Sequence, residues 1–276
     1  MIRLAVRCTP ELAERVLAEL LVLAPGGVEE EEGDGFVEYA ISGAAGELPE
    51  LGDLAAVTDG GLVEVTSEEI PDDWSDRWRD FHRPIVVGDR LCVRPSWETG
   101  EEIPEAAMHV VIDPGQAFGT GAHPTTRMCL ALLIELADAG ETGGLGGPLV
   151  DWGTGSGVLA IAAAKLGFAP VSGCDHERAA LDAATENAAT NAVEIAFERR
   201  NLRTEPAPSA PTATANLTAQ ILRAVAERLQ TPPERLVCSG LLRREADEIA
   251  AAFAPHGLAE RRRLTDGDWA ALLLSA

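Results

Sequence analysis

Three glycines alternate over five positions in the stretch Asp151-Trp152-Gly153-Thr154-Gly155-Ser156-Gly157. Apolar Leu149-Val150 precedes it and Val158-Leu159-Ala160-Ile161-Ala162 follows, so it reads as a buried strand, a glycine turn and a helix start. Glycines let the main chain approach a ligand where a side chain would block it. The first N–H groups of the following helix point at the same spot, which suits a carboxylate or phosphate. Asp175 lies 22 residues after Gly153, at the end of the next apolar run, Val171-Ser172-Gly173-Cys174. An acid there accepts hydrogen bonds from both hydroxyls of a ribose. The unit has the chemistry of an adenosine-type cofactor site.

Spacing narrows the cofactor. The dinucleotide fingerprint is G-x-G-x-x-G; here the third glycine comes one residue early and Val158 stands at the dinucleotide position. The D-x-G-x-G-x-G order resembles the first motif of class I methyltransferases, which bind S-adenosylmethionine. A nicotinamide or flavin site and a purely structural turn remain the competing readings of this stretch alone. A second stretch, Asp113 to Thr126, is a fourteen-residue loop rich in Gly, Thr and Pro (Asp-Pro-Gly-Gln-Ala-Phe-Gly-Thr-Gly-Ala-His-Pro-Thr-Thr) that runs into a helix with Pro124 in its first turn. Thr125 or Thr126 can offer a hydroxyl and an N–H to an anionic group, or the segment is a capped helix start and nothing more.

Elements must carry these residues. From residue 149 onward strands and helices alternate: Leu149 to Trp152, a helix to Leu166, Pro170 to Cys174, a helix through Asn191, and a strand near Glu194 to Arg199. A weak strand at Thr212 to Ala215 ends in Asn216-Leu217, then come a helix from Thr218 to Leu229, strand Arg235 to Ser239 and helix Arg243 to Phe253. Two closing runs, Leu258 to Leu264 and Trp269 to Leu274, read as an edge hairpin. This is a doubly wound α/β domain, and the hairpin suits a seven-stranded sheet better than an all-parallel one. Pro211 and the small residues of Thr212 to Ala215 promise little for a central strand. Upstream, the order β-α-β-β-α-β over residues 2 to 66 is the ferredoxin-like pattern. Trp74, Trp78 and Phe81 fall at i, i+4 and i+7, on one face of a connecting helix. The expected division is 1–70, a ferredoxin-like recognition domain; 71–105, a linker helix and connecting strands; and 106–276, the catalytic domain.

The 276 residues carry a net charge of −23, unevenly spread. Residues 1–99 hold 8 Lys+Arg against 22 Asp+Glu, which argues against naked nucleic acid as a partner and favours a basic protein. No apolar run approaches the ~20 residues a membrane span needs, and no signal peptide is visible, so the expected location is cytoplasmic. Five scattered cysteines without a C-x-x-C pair are expected as reduced thiols, not metal ligands.

The stretches Asp73 to Trp97, Asp113 to Thr126, Asp151 to Ala162, Asp175 to Asn191 and Asn216-Leu217 together resemble the PrmA family, bacterial methyltransferases of a large-subunit ribosomal protein of the stalk base. The resemblance covers nearly the whole chain. It implies a class I S-adenosylmethionine-dependent methyltransferase fold (Rossmann-like, seven-stranded) behind a small N-terminal ferredoxin-like α+β domain. It places cofactor contacts at Thr126, Gly153, Asp175 and Asn216, with Gly155 and Gly157 shaping the turn. Asn216 is the catalytic candidate, as an acceptor of amine hydrogen bonds; His123 is an alternative proton acceptor. The implied reaction is methylation of lysine ε-amines and an N-terminal α-amine, by a monomer whose acidic first domain grips the basic ribosomal protein. Thr154 stands where relatives carry cysteine, Ala122 replaces a common threonine, and only Asn201 offers itself where an acid would meet the adenine. The alternatives are a related protein-lysine methyltransferase with a non-ribosomal substrate, such as an electron-transfer flavoprotein subunit, and a non-catalytic cofactor-binding protein.

Overall fold

The structure, a computed structural model, describes residues 2–10, 12–13, 16, 29–33, 35–43, 64–69, 84–98, 108–113, 123–139 and 146–276. The chain forms two compact units, 1–81 and 82–276.

In the first unit, β1 (Ile2–Cys8), β2 (Glu29–Gly33), β3 (Phe36–Gly43) and β4 (Glu64–Glu69) make an antiparallel sheet in the order β2-β3-β1-β4. With β1 and β3 in the middle, this is the strand order of the split β-α-β-β-α-β motif. Alternation decides which face is buried: Leu4, Val6 and Cys8 on β1 meet Val37, Tyr39 and Ile41 on β3. The first helix of the β-α-β-β-α-β order follows β1, with Leu12 N–H donating to Thr9 O and Val16 N–H to Leu12 O. Residues 17–28, the second helix of that order and the expected helix bearing Trp74, Trp78 and Phe81 lie outside the described residues.

The second unit holds two sheets. β5 (Ile85–Val87), β6 (Leu91–Arg94) and β7 (Met108–Val111) form the smaller, in which β5 and β6 are antiparallel and β6 and β7 parallel. β7 therefore joins the small sheet through β6 and takes no place in the large one. The large sheet has the order β10-β9-β8-β11-β12-β14-β13. Its strands are β8 (Leu149–Trp152), β9 (Val171–Asp175), β10 (Ile195–Arg199), β11 (Thr212–Asn216), β12 (Arg235–Leu242), β13 (Ala259–Asp266) and β14 (Trp269–Ser275). All run parallel except β14, which pairs antiparallel with both β12 and β13.

Strand order reverses between β8 and β11: the chain winds outward through β9 and β10, then returns to the other side of β8. Ligands bind at such a switch point, outside the carboxyl ends of the strands.

Helices α1 (Pro124–Asp138), α2 (Val158–Lys165) and α3 (Arg178–Thr190) follow the small sheet, β8 and β9; α4 (Ala219–Arg228) and α5 (Ala246–Phe253) follow β11 and β12. Two apolar layers result, one including Leu130, Leu133, Leu149, Ile161 and Val237, the other including Trp152, Leu222, Leu236, Phe253 and Leu272. In α2 the run Val158 to Ala163 is buried on every side, as expected of a helix enclosed by the sheet and its neighbours. The helix expected over 243–253 opens with one 3₁₀ turn, Arg243–Glu245, whose Glu245 side chain accepts the Leu242 N–H. All five cysteines are unpaired and buried, four in strands and Cys129 in α1. Among the described residues no helix is long and apolar enough to cross a membrane.

Candidate active site

The glycine turn is fixed from outside by β9. Both Gly153 N–H and Thr154 N–H donate to Cys174 O at 2.9 Å, and Gly157 N–H closes on Thr154 O at 2.8 Å. Gly153, Gly155 and Gly157 all sit at positive φ (73°, 52° and 82°), where an L side chain is strained. Two of them are also needed for packing. A Cβ on Gly153 would lie 2.3 Å from Leu217 Cδ2, and one on Gly157 would press on Ala184 at 3.2 Å. The alternation thus encodes a turn that neighbouring side chains touch as closely as a ligand would.

Asp175 ends β9 beside this turn. Its Oδ2 accepts the Gly155 N–H at 3.0 Å and its Oδ1 accepts the Glu177 N–H at 3.1 Å. Two backbone donors hold the carboxylate in one orientation, His176 Nδ1 lies 3.2 Å from the same Oδ1, and Oδ2 keeps a lone pair for a hydroxyl. Across the switch point, Asn216 ends β11. Its Nδ2 donates to Thr126 Oγ1 at 3.1 Å. Thr126 is in the first turn of α1, which Pro124 opens and His123 caps: the imidazole Nδ1 accepts the Thr125 N–H and lies 2.7 Å from Thr125 Oγ1.

One cleft is lined by Thr126, Gly153, Gly155, Asp175 and Asn216, five of the six residues singled out in the sequence. Gly157, the sixth, caps α2 and is not part of the lining. His123 is not part of it either; its ring packs edge-on against Trp269 at 4.7 Å, and burial lowers its basicity. Asn201 does line the cleft, following β10, and its Oδ1 already accepts the Arg203 N–H at 3.1 Å.

Asp151 forms the floor. It is 1 % exposed, and both its oxygens accept hydroxyl protons: Oδ1 from Thr214 at 2.6 Å, Oδ2 from Thr154 at 2.8 Å. Burial pushes its pKa up to about 6, against the opposing pull of the two hydroxyls. Thr154 and Thr214 thus have a definite task that their types alone do not announce. His176, Glu177, Arg200 and Leu202 were also not singled out; they follow the ends of β9 and β10, and position at a strand's carboxyl end was the signal that could have found them.

The weak strand expected at 212–215 is instead the central strand of the sheet, with Thr212, Ala213, Thr214 and Ala215 all buried. Its residues are small because its neighbour is large: Ala215 pairs with Trp152 across the ladder. The Thr214 hydroxyl is there because Asp151 needs a donor.

A family model described as ribosomal protein L11 methyltransferase (PrmA) matches residues 48–276. A ribosomal protein L11 methyltransferase of Shewanella amazonensis is 40% identical over 216 residues, covering 73% of this chain and 70% of its own. Another, of Symbiobacterium thermophilum, is 36% identical over 249 residues, covering 83% and 79%. A crystal structure of a ribosomal protein L11 methylase from Lactobacillus delbrueckii subsp. bulgaricus superposes with a TM-score of 0.61 at 30% identity, over 70% of this chain and 98% of that one.

Proposed function

Since the chain belongs to the ribosomal protein L11 methyltransferase (PrmA) family, we propose that it moves methyl groups from S-adenosylmethionine to lysine ε-amines and the N-terminal α-amine of ribosomal protein L11. The observation that carries this reading is the pairing of two kinds of wall at one switch point. A glycine turn with a backbone-fixed carboxylate, Gly155 and Asp175, faces an oriented amide, Asn216 on Thr126.

The residues present fit the cofactor. Asp175 would hold the ribose hydroxyls, the Gly153–Gly155 backbone would lie against the methionyl end, and Asn201 would meet the adenine edge. When bound, the sulfonium supplies an electrophilic methyl group, so the protein need not activate it. What remains is to align an amine lone pair with the methyl–sulfur bond and exclude water, an effect of ~7–11 kcal/mol in well-oriented systems.

Asn216 contributes the alignment. Its Nδ2 is committed to Thr126, which points Oδ1 the other way as a hydrogen-bond acceptor for the incoming amine. A lysine amine starts at a pKa of about 10.4, and leaving water for the cleft lowers it. The acidic first unit is the docking surface for the basic substrate, and the chain acts as a cytoplasmic monomer.

The test is incubation of the purified protein with labelled S-adenosylmethionine and ribosomes from a host lacking this activity. Label in L11, mapped by mass spectrometry to lysines and the N-terminal amine, is the expected result. Label confined to a non-ribosomal protein, or tight cofactor binding without transfer, would overturn it.

A further inference from the structure

The cleft's two walls must keep a fixed separation; Asp151 ties them at the floor through Thr154 and Thr214, and a second tie lies behind the lining. We propose that Asn187 and Asn191, at the end of α3 and outside the cleft lining, are the positioning residues that make this second tie, a proposal resting on the functional reading above.

The two asparagines are four residues apart, so they share one face of the helix terminus. Asn191 caps α3, and its side-chain amide is spent on main chain. Oδ1 accepts the Val111 N–H at 2.9 Å, while Nδ2 donates to Val111 O at 2.7 Å and to Asn187 O at 2.8 Å. An amide that exchanges both bonds with one residue reproduces a hydrogen-bonded antiparallel pair. Strand β7 has β6 on one edge; on the other, Asn191 stands in for a strand at Val111. Asn187 reaches the opposite way, its Nδ2 donating to Ser156 O at 2.9 Å within the glycine turn. Both side chains are buried, at 9% and 7% exposure.

A single helix end therefore grips two backbones 45 residues apart in sequence, Val111 and Ser156. Ser156 belongs to the cofactor wall. Val111 ends β7, and its neighbours Val110 and Ile112 share one apolar cluster with Met128 and Cys129 of α1, the helix that carries Thr126, the support of Asn216. Each asparagine fixes a different wall, so their loss has different consequences. Displacing reacting groups by about 1 Å costs on the order of a hundredfold in rate, whereas loosening a backbone contact in a binding turn weakens affinity.

The experiment compares Asn187→Ala, Asn191→Ala and Asn191→Asp in the full-length protein. Calorimetry gives the S-adenosylmethionine Kd, and transfer to L11 at saturating cofactor gives kcat and KM. Asn187→Ala is expected to raise the cofactor Kd about tenfold, the equivalent of one hydrogen bond, with kcat nearly kept. Asn191→Ala is expected to leave that Kd within about twofold and to lower kcat by roughly a hundredfold. Asn191→Asp keeps the acceptor for Val111 N–H and is expected to fall between Asn191→Ala and wild type in kcat, which preserves the test if the alanine variant does not fold. Parallel losses in Kd and kcat for both positions, or a lowered Tm with both constants unchanged, would mean simple structural support and overturn the proposal. A wild-type protein that binds no S-adenosylmethionine would overturn the reading of the cleft, and this inference with it.

Discussion

β8 and β11 lie side by side, parallel and in register, and end on the same cleft, but they are assembled from opposite materials. β8 is Leu-Val-Asp-Trp, buried throughout, and fills its share of both apolar layers with large side chains. β11 is Thr-Ala-Thr-Ala-Asn, equally buried in its first four residues yet with no side chain larger than threonine there. Volume explains one face: Trp152, whose Nε1 donates to Pro208 O at 2.9 Å, occupies space that Ala213 and Ala215 leave open. Polarity explains the other face, where Thr214 answers the buried carboxylate of Asp151 opposite it. A central strand is selected by what its partner requires, and intrinsic β preference is overruled. The two walls of the cleft differ in the same way. The wall at the ends of β8 and β9 presents backbone and one fixed acid; the β11 wall presents a neutral amide beside the Thr126 hydroxyl.

The largest expected effect breaks the β8 wall. Asp175→Ala removes the acceptor proposed for the ribose hydroxyls, each such charge-assisted bond contributing at least about 1.5 kcal/mol. Cofactor affinity measured by calorimetry is expected to fall by about a hundredfold or more, with the fold retained, because Gly153 and Thr154 stay tied to Cys174 O. Unchanged affinity would show that the acid shapes the turn and does not hold the ribose.

The difference between the two strands also separates what the sequence discloses from what it conceals. The glycine alternation, Asp175 at the end of the next apolar run, Pro124 opening a helix and Asn216 closing a strand are local signals, and the structure gathers Thr126, Gly153, Gly155, Asp175 and Asn216 around one cleft. The winding order was legible because each element has its own period. The central place of β11 was not, because it depends on Trp152, 60 residues upstream of the first residue of the strand. The grip of Asn191 on Val111 spans 80 residues and leaves no periodic trace. Nor does the pairing of β6 with β7, since a short strand carries no mark of which sheet it joins. The role of His123 was open for a different reason. One imidazole can cap a helix or move a proton, and only its geometry, on Thr125 and against Trp269, shows the cap.

A smaller effect tests the floor between the strands. Asp151 keeps its proton in the folded state up to about pH 6, whereas in the unfolded chain it releases it at about pH 4. The folded state binds more protons in this interval, so stability falls as pH rises through it, by about 3 kcal/mol in all. Asp151→Asn removes the titration. Urea denaturation at pH 4 and pH 8 is expected to show a drop in the wild type that the variant lacks, making the variant the more stable of the two at pH 8. A wild-type curve without that drop would mean that the two threonines fully offset the burial of the charge.

The finest test of the comparison uses one chemical change at two places on β11. Thr214 and Thr212 are two residues apart, face the same side of the sheet, and are both 0% exposed. Thr214 donates to Asp151, whereas Thr212 Oγ1 finds no hydrogen-bond partner among the described residues. Thr214→Val keeps shape and removes a donor to a buried carboxylate. It is expected to cost about 1.5–3 kcal/mol at pH 8 and less at pH 5, where Asp151 carries its proton. Thr212→Val also keeps shape but removes a hydroxyl that is desolvated for no return, so it is expected to raise stability by about 1 kcal/mol at either pH. Thermal denaturation of the two variants should move Tm in opposite directions. If both lower it, threonine is chosen along β11 for its fit at the centre of the sheet; opposite signs tie the choice at 214 to its neighbour's charge.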